Sequence, residues 1–242
     1  MNYELHPHYQ HLRPLVDNIE HYFQQSSVVL HQARNELRVV EFADEAYVIK
    51  AFKIPHLINR FAYCYLRHSK AKRSYDYSLK LGAELCPEAV AYSESYKKGL
   101  LDKSYYISRH FQYDYTIRSV LNHTIEHYAD VLQQFAGFTF KLHEKDILHR
   151  DYSPGNVLVK EQEEGVLFKV VDVNRMQFKK LTLKDRLFNF VRLTEDDRTL
   201  QIIISHYAEL MQADKAQLLQ QTIAYRDQYL NKRALKNKLR GR

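Results

Sequence analysis

The chain has few of the residues that build disulfide-rich, metal-binding or linker-rich proteins. Only two cysteines, Cys64 and Cys86, occur among its 242 residues. They form no CxxC pair and no zinc-type spacing with histidine, so they favour two partly buried thiols in a reducing compartment over a disulfide framework. The chain also has only six glycines and five prolines. Long flexible linkers are therefore not expected.

Long apolar runs are absent as well. The N-terminal segment MNYELHPHYQHLRPLVDN has no apolar centre of signal-peptide type. No apolar run approaches the length that is needed to cross a bilayer. We therefore expect a cytoplasmic protein that could lie on a membrane surface.

The charge balance favours polyanionic partners. The formal net charge is +7, and basic residues cluster in Arg60–Arg73 and in Lys232–Arg242. Such clusters bind anionic lipid, phosphorylated substrates or nucleic acid, or they form solvated helix faces and tails. No nucleic-acid recognition motif accompanies them, which disfavours nucleic-acid binding.

The stretch HRDYSPGN, residues 149–156, carries the strongest chemical signal. Asp151 lies in the HRD triplet, Asn156 follows it, and Asp172 ends a later apolar run. This arrangement is typical of a protein-kinase-type active site. Asp151 would accept the proton of an attacking hydroxyl as catalytic base, and Asn156 and Asp172 would hold Mg²⁺ against the phosphates of ATP. His149 and Arg150 are expected to position the loop rather than to react.

The context of this motif fits the same interpretation. A helical pattern extends from about residue 114 toward the loop, with Leu121, Ile125 and Tyr128 at helical spacing. After the loop, 157–159 and 166–171 are predicted to form a hairpin that returns Asp172 to the site. A chance surface triplet would not be expected to have this context.

The order of the predicted elements indicates the fold. Strands are predicted at 28–30, 37–42 and 47–52, a helix or two at 57–81, further strands at 89–92 and 105–111, and then a mostly helical half. We predict an α+β, protein-kinase-like bilobal fold. Its N-lobe, residues 1–111, would contain a small antiparallel sheet and a helix. Its C-lobe, residues 112–242, would be mostly helical, with the substrate cleft between the lobes.

Lys50 is predicted to anchor the nucleotide phosphates. It ends the segment Tyr-Val-Ile-Lys, which is close to the VAIK pattern of kinases. Lys53 is the competitor, but strand alternation places it on the opposite face. The acidic partner of Lys50 is expected on the following helix, with Asp76 preferred over Glu84.

Two kinase features are missing. No GxGxxG precedes Lys50, and residues 30–37 contain no glycine. Arg34 is a candidate phosphate contact in that loop, and a plain surface role for it stays open. Asp172 is followed by Val-Asn instead of Phe-Gly, and no Ala-Pro-Glu occurs downstream. Since protein kinases use that region for a peptide substrate, a small-molecule or glycolipid acceptor is favoured.

Several segments together resemble the lipopolysaccharide kinase family, over roughly residues 30 to 195 of this chain. The resemblance is carried by ARNELRVVEF, YVIKAFK, INRFAYCYLRHSKAKRSYDYSLKLG, HRDYSPGNVLV and VVDVNRMQF. It implies a protein-kinase-like fold, ATP as phosphate donor, and a Kdo or heptose hydroxyl of the lipopolysaccharide core as acceptor. It implies the same roles for Asp151, Asn156, Asp172 and Lys50. It also implies that Asp76 is the acidic partner of Lys50.

Alternatives to this function remain at the level of sequence. A kinase of another small hydroxyl compound, such as an aminoglycoside or choline, shares the fold, although such loops tend to have HGD where this chain has Arg150. A pseudokinase that binds nucleotide or a partner without turnover is supported only by the glycine-free loop. Magnesium-dependent ATP turnover separates the enzymes from the pseudokinase.

Overall fold

The chain forms two compact units. The computed structural model describes residues 1–54, 63 and 67–239. The first unit comprises Met1–Gln112 with Asp172–Asn174, and the second comprises Tyr113–Val171 with Arg175–Arg242. Both units combine helices with antiparallel strands, which confirms the predicted α+β class. Within the described residues, no helix is both long and apolar enough to cross a membrane.

The first unit is built on a six-stranded antiparallel sheet of order β1-β5-β6-β4-β3-β2. Its strands are β1 (Asn2–Leu5), β2 (Val28–Gln32), β3 (Glu36–Phe42), β4 (Glu45–Ala51), β5 (Ala89–Lys97) and β6 (Leu100–Arg109). Strand β4 is internal, because Lys50 pairs with Leu37 of β3 on one side and with Tyr106 of β6 on the other. Lys50 is therefore not an edge-strand residue.

Helices cover both faces of this sheet. They are a 3-10 helix (Pro7–Leu12), α1 (Arg13–Asp17), α2 (Ile19–Gln25) and α3 (Lys70–Leu81). The N-terminal helices bury Leu15 and other apolar residues against Tyr47 and Ile49. Helix α3 buries Tyr75 against Phe52. Since alternate side chains of a strand point to opposite faces, Lys50 lies on the same face as Phe52, where α3 packs.

Local sequence sets the ends of α3. The hydroxyl of Ser69 accepts the backbone N–H of Lys72 at 3.0 Å, which caps the first turn. Gly82 follows the last turn with φ +80°, a conformation that costs glycine little and other residues more. Lys70–Leu81 is thus a capped helix, which confirms that part of the predicted helical region. Residues 67–69 of the predicted helical region are not helical, since the chain forms a bend there before Ser69 caps α3. Residues 57–62 and 64–66 lie outside the described residues.

The second unit combines short strands with longer helices. Its strands are β7 (Tyr115–Thr116), β8 (Ile147–His149), β9 (Val157–Gln162), β10 (Gly165–Val170) and β11 (Met176–Phe178). They form a three-stranded sheet, β10-β9-β7, and a two-stranded pair, β11-β8. Its helices are α4 (Ile117–Leu121), α5 (Tyr128–Glu144), α6 (Leu183–Phe190), α7 (Asp197–Leu210) and α8 (Lys215–Lys238).

Helices α5, α6 and α7 supply the core of the second unit. Helix α5 buries apolar residues at helical spacing, including Leu132 and Phe135. Helix α7 buries Ile203 and Ile204 in the same way. Burial of each such side chain contributes about 1.5–3 kcal/mol. This core lies beneath the loop that follows β8.

The structure differs from the predicted elements at three places. Strand β1 was not predicted. The hairpin of β5 and β6 is longer than predicted and turns at Lys98 and Gly99, both with positive φ. The helical pattern from residue 114 is interrupted, because the chain first forms strand β7, which pairs with β9, and α5 begins only at Tyr128. In each case strand pairing outweighs the local propensity.

Candidate active site

The HRD motif lies on a tight loop in the second unit. Strand β8 ends at His149, and a 3-10 helix, Pro154–Asn156, leads into β9. The buried His149 ring accepts the backbone N–H of Asp151 at Nδ1 (3.1 Å) and donates from Nε2 to the carbonyl of Val171 (2.9 Å). These bonds define a neutral imidazole that is protonated on Nε2. His149 thus orients the loop.

Asn156 closes the same loop. Its side-chain Nδ2 donates to the backbone carbonyl of Asp151 at 2.8 Å. Its backbone N–H donates to the carbonyl of Ser153, and its carbonyl accepts from Val171, both at 2.9 Å. With Nδ2 occupied, the amide oxygen Oδ1 is the atom that Asn156 can offer to a cation.

Two arginines contact the Asp151 carboxylate. Nη1 of Arg192 lies 2.5 Å from Oδ1, and Nη1 of Arg175 lies 3.4 Å from Oδ2. The Asp151 side chain is 18% exposed. The carboxylate is therefore oriented by both arginines and partly exposed.

A chain of hydrogen bonds connects the core helices to the loop. The Tyr207 hydroxyl of α7 bonds Nδ1 of His143 on α5 (2.7 Å), and Nε2 of His143 bonds Oδ1 of Asn189 on α6 (3.0 Å). Asn189 Nδ2 then donates to the backbone carbonyl of His149 at 2.9 Å. Burial lowers the pKa of His143 to about 4. The imidazole is therefore neutral at physiological pH and can accept one bond while donating the other.

Tyr152 anchors the loop from below. Its ring stacks on Phe135 with centroids 5.7 Å apart, and its hydroxyl bonds Oγ1 of Thr139 at 2.8 Å. Burial raises the pKa of Tyr152, so this hydroxyl stays neutral. The residue after Asp151 is thereby held in the helical core.

In the first unit, the structure brings Lys50 and Asp172 together. Nζ of Lys50 lies 2.6 Å from Oδ1 of Asp172, and Nδ2 of the buried Asn174 donates to the same oxygen at 2.6 Å. The Lys50 side chain is only 11% exposed and lies 5.3 Å from the centre of the Phe52 ring. Asp172 has φ 57°, a left-handed conformation that non-glycine residues adopt rarely and mainly at functional sites.

The expected pairing of Lys50 with Asp76 is not formed among the described residues. Asp76 binds Nζ of Lys72 at 3.1 Å, one turn away on α3, where the i,i+4 spacing favours an ion pair. Lys50 takes Asp172 as its acidic partner instead. Arg34 lies exposed in the bend that joins β2 to β3, and Arg150 lies exposed in the turn after β8.

Sequence reasoning missed four side chains that orient these groups: Asn174, Arg175, Asn189 and Arg192. Asn174 and Arg175 lie directly after Asp172 in the DVNRM segment, so their position in the motif was a usable signal. Asn189 and Arg192 lie at the end of α6 and just beyond it. No local pattern marks them, because only the packing of α6 brings them to the loop.

Each unit offers one oxygen donor of the kind that a nucleotide-bound magnesium ion takes. Within residues 1–54, 63 and 67–239, no cluster of three or more His, Cys, Asp or Glu side chains could hold a metal by itself. Mg²⁺ usually takes one or two protein oxygens together with substrate phosphates and water. The Asp172 carboxylate in the first unit and the Oδ1 atom of Asn156 in the second are each an oxygen of that kind. Each suits a cation that arrives with phosphates better than a metal held by protein alone.

Comparison with known proteins agrees with the motif. Residues 113–221 match the model of the lipopolysaccharide kinase (Kdo/WaaP) family. No curated protein matches the chain significantly. Among solved structures, that of WaaP in complex with acyl carrier protein is similar, with a TM-score of 0.58 and 15% sequence identity. The similarity covers 94% of this chain and 99% of the other, which confirms the predicted protein-kinase-like fold. The matched residues include the HRD loop and the DVNRM segment, so this part of the chain resembles the lipopolysaccharide kinase (Kdo/WaaP) family.

Proposed function

We propose that this protein is an ATP-dependent kinase that transfers the γ-phosphate to a sugar hydroxyl of the lipopolysaccharide inner core, on Kdo or heptose. The family match supports the class of acceptor. The observation that carries the nucleotide half of the proposal is the 2.6 Å ion pair of Lys50 with Asp172. A lysine on an internal strand and an aspartate with a left-handed backbone are costly to place together without a function.

In this proposal Lys50 binds the phosphates of ATP, and Asp172 and Asn156 hold the magnesium ion. When bound, magnesium would neutralise the charge that develops on the transferred phosphoryl group. Before nucleotide binds, Asp172 neutralises the ammonium of Lys50. Arg34, exposed in the β2–β3 bend, is proposed as a further phosphate contact in place of a glycine-rich loop.

Asp151 is the proposed base. Its carboxylate accepts the proton of the sugar hydroxyl as the hydroxyl oxygen forms a bond to the γ-phosphorus. The bond from the γ-phosphorus to the β–γ bridging oxygen breaks, and ADP leaves. His149 and Asn156 hold the backbone of Asp151 from both sides, so the carboxylate is positioned before the acceptor arrives.

The acceptor in this proposal is carried by a lipid, which implies work at a membrane surface. The chain has a net charge of +7, and basic segments are attracted to anionic lipid headgroups. We therefore propose a cytoplasmic protein that associates peripherally with the inner membrane.

The test is transfer of labelled γ-phosphate from Mg·ATP to purified lipopolysaccharide core. We expect transfer by the wild-type protein and a loss of at least about a thousandfold in Asp151→Asn, with ATP affinity little changed. Asp17→Asn is the matched control, since Asp17 is an exposed carboxylate in a surface pair with Arg13 and its loss should not affect transfer.

The alternatives give different results in the same assay. Transfer only to a non-lipopolysaccharide alcohol would identify a kinase of another small molecule. ATP binding without transfer to any acceptor of a panel would identify a pseudokinase. Loss of both ATP binding and transfer in Asp151→Asn would show that Asp151 is structural.

A further inference from the structure

We propose that Arg175 recognises a negatively charged group of the acceptor, a carboxylate or a phosphate near the reacting hydroxyl, and that Arg192 positions the base Asp151. This inference rests on the proposed function, because it concerns the acceptor of the same site. All three residues belong to the second unit.

The two oxygens of Asp151 are held unequally. Arg192 lies 2.5 Å from Oδ1, which is a short, charge-assisted contact. Arg175 lies 3.4 Å from Oδ2, which is longer than a good hydrogen bond of this type. Oδ2 is therefore the oxygen that can accept the hydroxyl of an acceptor, and Arg175 is the cation next to that oxygen.

The two arginines also differ in exposure, and Arg175, which has the longer contact to Asp151, is the more exposed. The Arg175 side chain is 53% exposed and the Arg192 side chain 35%. A long contact and high exposure leave the guanidinium of Arg175 able to exchange Asp151 for an incoming anion at little cost. Arg192 has the shorter contact and the less exposed side chain, as expected of a group that fixes the orientation of Oδ1.

The local charge is complementary to an anionic acceptor. Two guanidinium groups face a single carboxylate. The guanidinium of Arg118 lies over the same loop, since a methyl group at Gly155 would be 3.4 Å from its Nη2. An anion bound by Arg175 would offset this excess positive charge and free Oδ2 to act as the base.

The experiment compares charged and neutral forms of one acceptor. The probe is the inner-core oligosaccharide freed from its lipid, used intact, after conversion of its carboxylates to methyl amides, or after enzymatic removal of its phosphates. We expect the wild-type kcat/KM to fall about 10- to 100-fold with one of the two modified forms, the size of one charge-assisted contact. The form that loses activity identifies the anion as carboxylate or phosphate.

The variants separate recognition from positioning. In Arg175→Gln the KM for the intact acceptor should rise. The kcat/KM for the intact acceptor should then exceed that for the neutral form by less than about threefold. In Arg192→Gln, kcat should fall equally for all acceptors, with partial rescue in Arg192→Lys. Arg13→Gln, which removes a charge from an exposed surface pair, should retain both kcat and the preference.

Binding provides a readout that does not need turnover. Calorimetric titration of the same oligosaccharides, with Mg²⁺ and a non-hydrolysable ATP analogue present, should show the same preference. A wild-type protein that transfers phosphate but binds and uses all forms equally would overturn the inference and leave the proposed function intact. Charge-selective binding that depends on Arg175, without transfer to any acceptor, would support the inference and overturn the proposed function.

Discussion

At the scale of single residues, Lys50 and Asp172 are 122 positions apart in the chain and 2.6 Å apart in the structure. A lysine that is 11% exposed would lose several kcal/mol of hydration without a partner. Asp172 compensates this loss, and Asn174 fixes the orientation of the carboxylate. In the proposed function, Lys50 binds the phosphates and Asp172 the magnesium ion when a nucleotide enters.

Replacement of the two nearby lysines tests this role. We expect Lys50→Met to lower kcat/KM for ATP by about 100-fold or more, since a charged donor to the phosphates is lost. Lys53→Met is the matched control, because Lys53 lies beyond the end of β4 and is exposed; its kinetics should stay within about twofold. Steady-state kinetics with varied ATP measures both, and equal losses in the two variants would contradict the assignment.

At the scale of elements, His143 connects α5 with α6 and α7. It bonds Tyr207 and Asn189, and Asn189 bonds the backbone of His149. All of these groups are buried, so each needs its partner. The helices thereby support the HRD loop through a polar contact as well as through apolar packing.

This contact predicts a dependence of stability on pH. Burial lowers the pKa of His143 to about 4 from an ordinary 6.5, so the unfolded chain binds the proton more strongly than the folded chain. The free energy of unfolding should therefore be highest above pH 6.5 and fall as the pH drops toward 4, by about 3 kcal/mol in total. Denaturant unfolding at a series of pH values measures this change.

Two histidine variants test whether His143 causes this pH dependence of the free energy of unfolding. His143→Gln should be less stable than the wild type at neutral pH but should lose its share of the pH dependence over the same range. His8→Gln, at an exposed histidine, should keep the slope of the wild type. An unchanged slope in His143→Gln would mean that other groups cause the pH dependence.

At the scale of the whole molecule, the C-terminal end of α8 stands out. The buried residues of this helix are Leu218, Thr222 and Arg226. Every described residue from Asn231 to Leu239 is exposed, including Leu235 and Leu239 at 60% and 80%. The segment is rich in lysine and arginine. It therefore contributes charge and apolar surface to the exterior rather than packing to the core.

Removal of residues 231–242 should separate stability from membrane binding. We expect the free energy of unfolding to change by less than about 0.5 kcal/mol, since the described residues of this segment, 231–239, are all exposed. Binding to vesicles with anionic lipid should weaken by more than tenfold, at about 1 kcal/mol for each basic residue near the surface. Cosedimentation measures binding, with uncharged vesicles as control, and equal binding of both forms would contradict a role for this segment.

Short-range patterns in the sequence were sufficient for many local elements. Apolar alternation predicted β3 and β4, and helical spacing predicted much of α5. The fold of the HRD loop is also local, because His149 and Asn156 bond the backbone of Asp151 within five positions. Such elements are specified by contacts among near neighbours, which a linear pattern records.

The tertiary structure alone decided which distant side chains meet. It paired Lys50 with Asp172 instead of Asp76, and it placed Arg192 on Asp151. Separation along the sequence alone would allow several side chains to pair with each of these partners. The choice depends on how internal strands and core helices pack, and on the cost of leaving a buried charge without a partner. The sequence by itself determined the chemistry of the groups, and packing determined which of them act on one another.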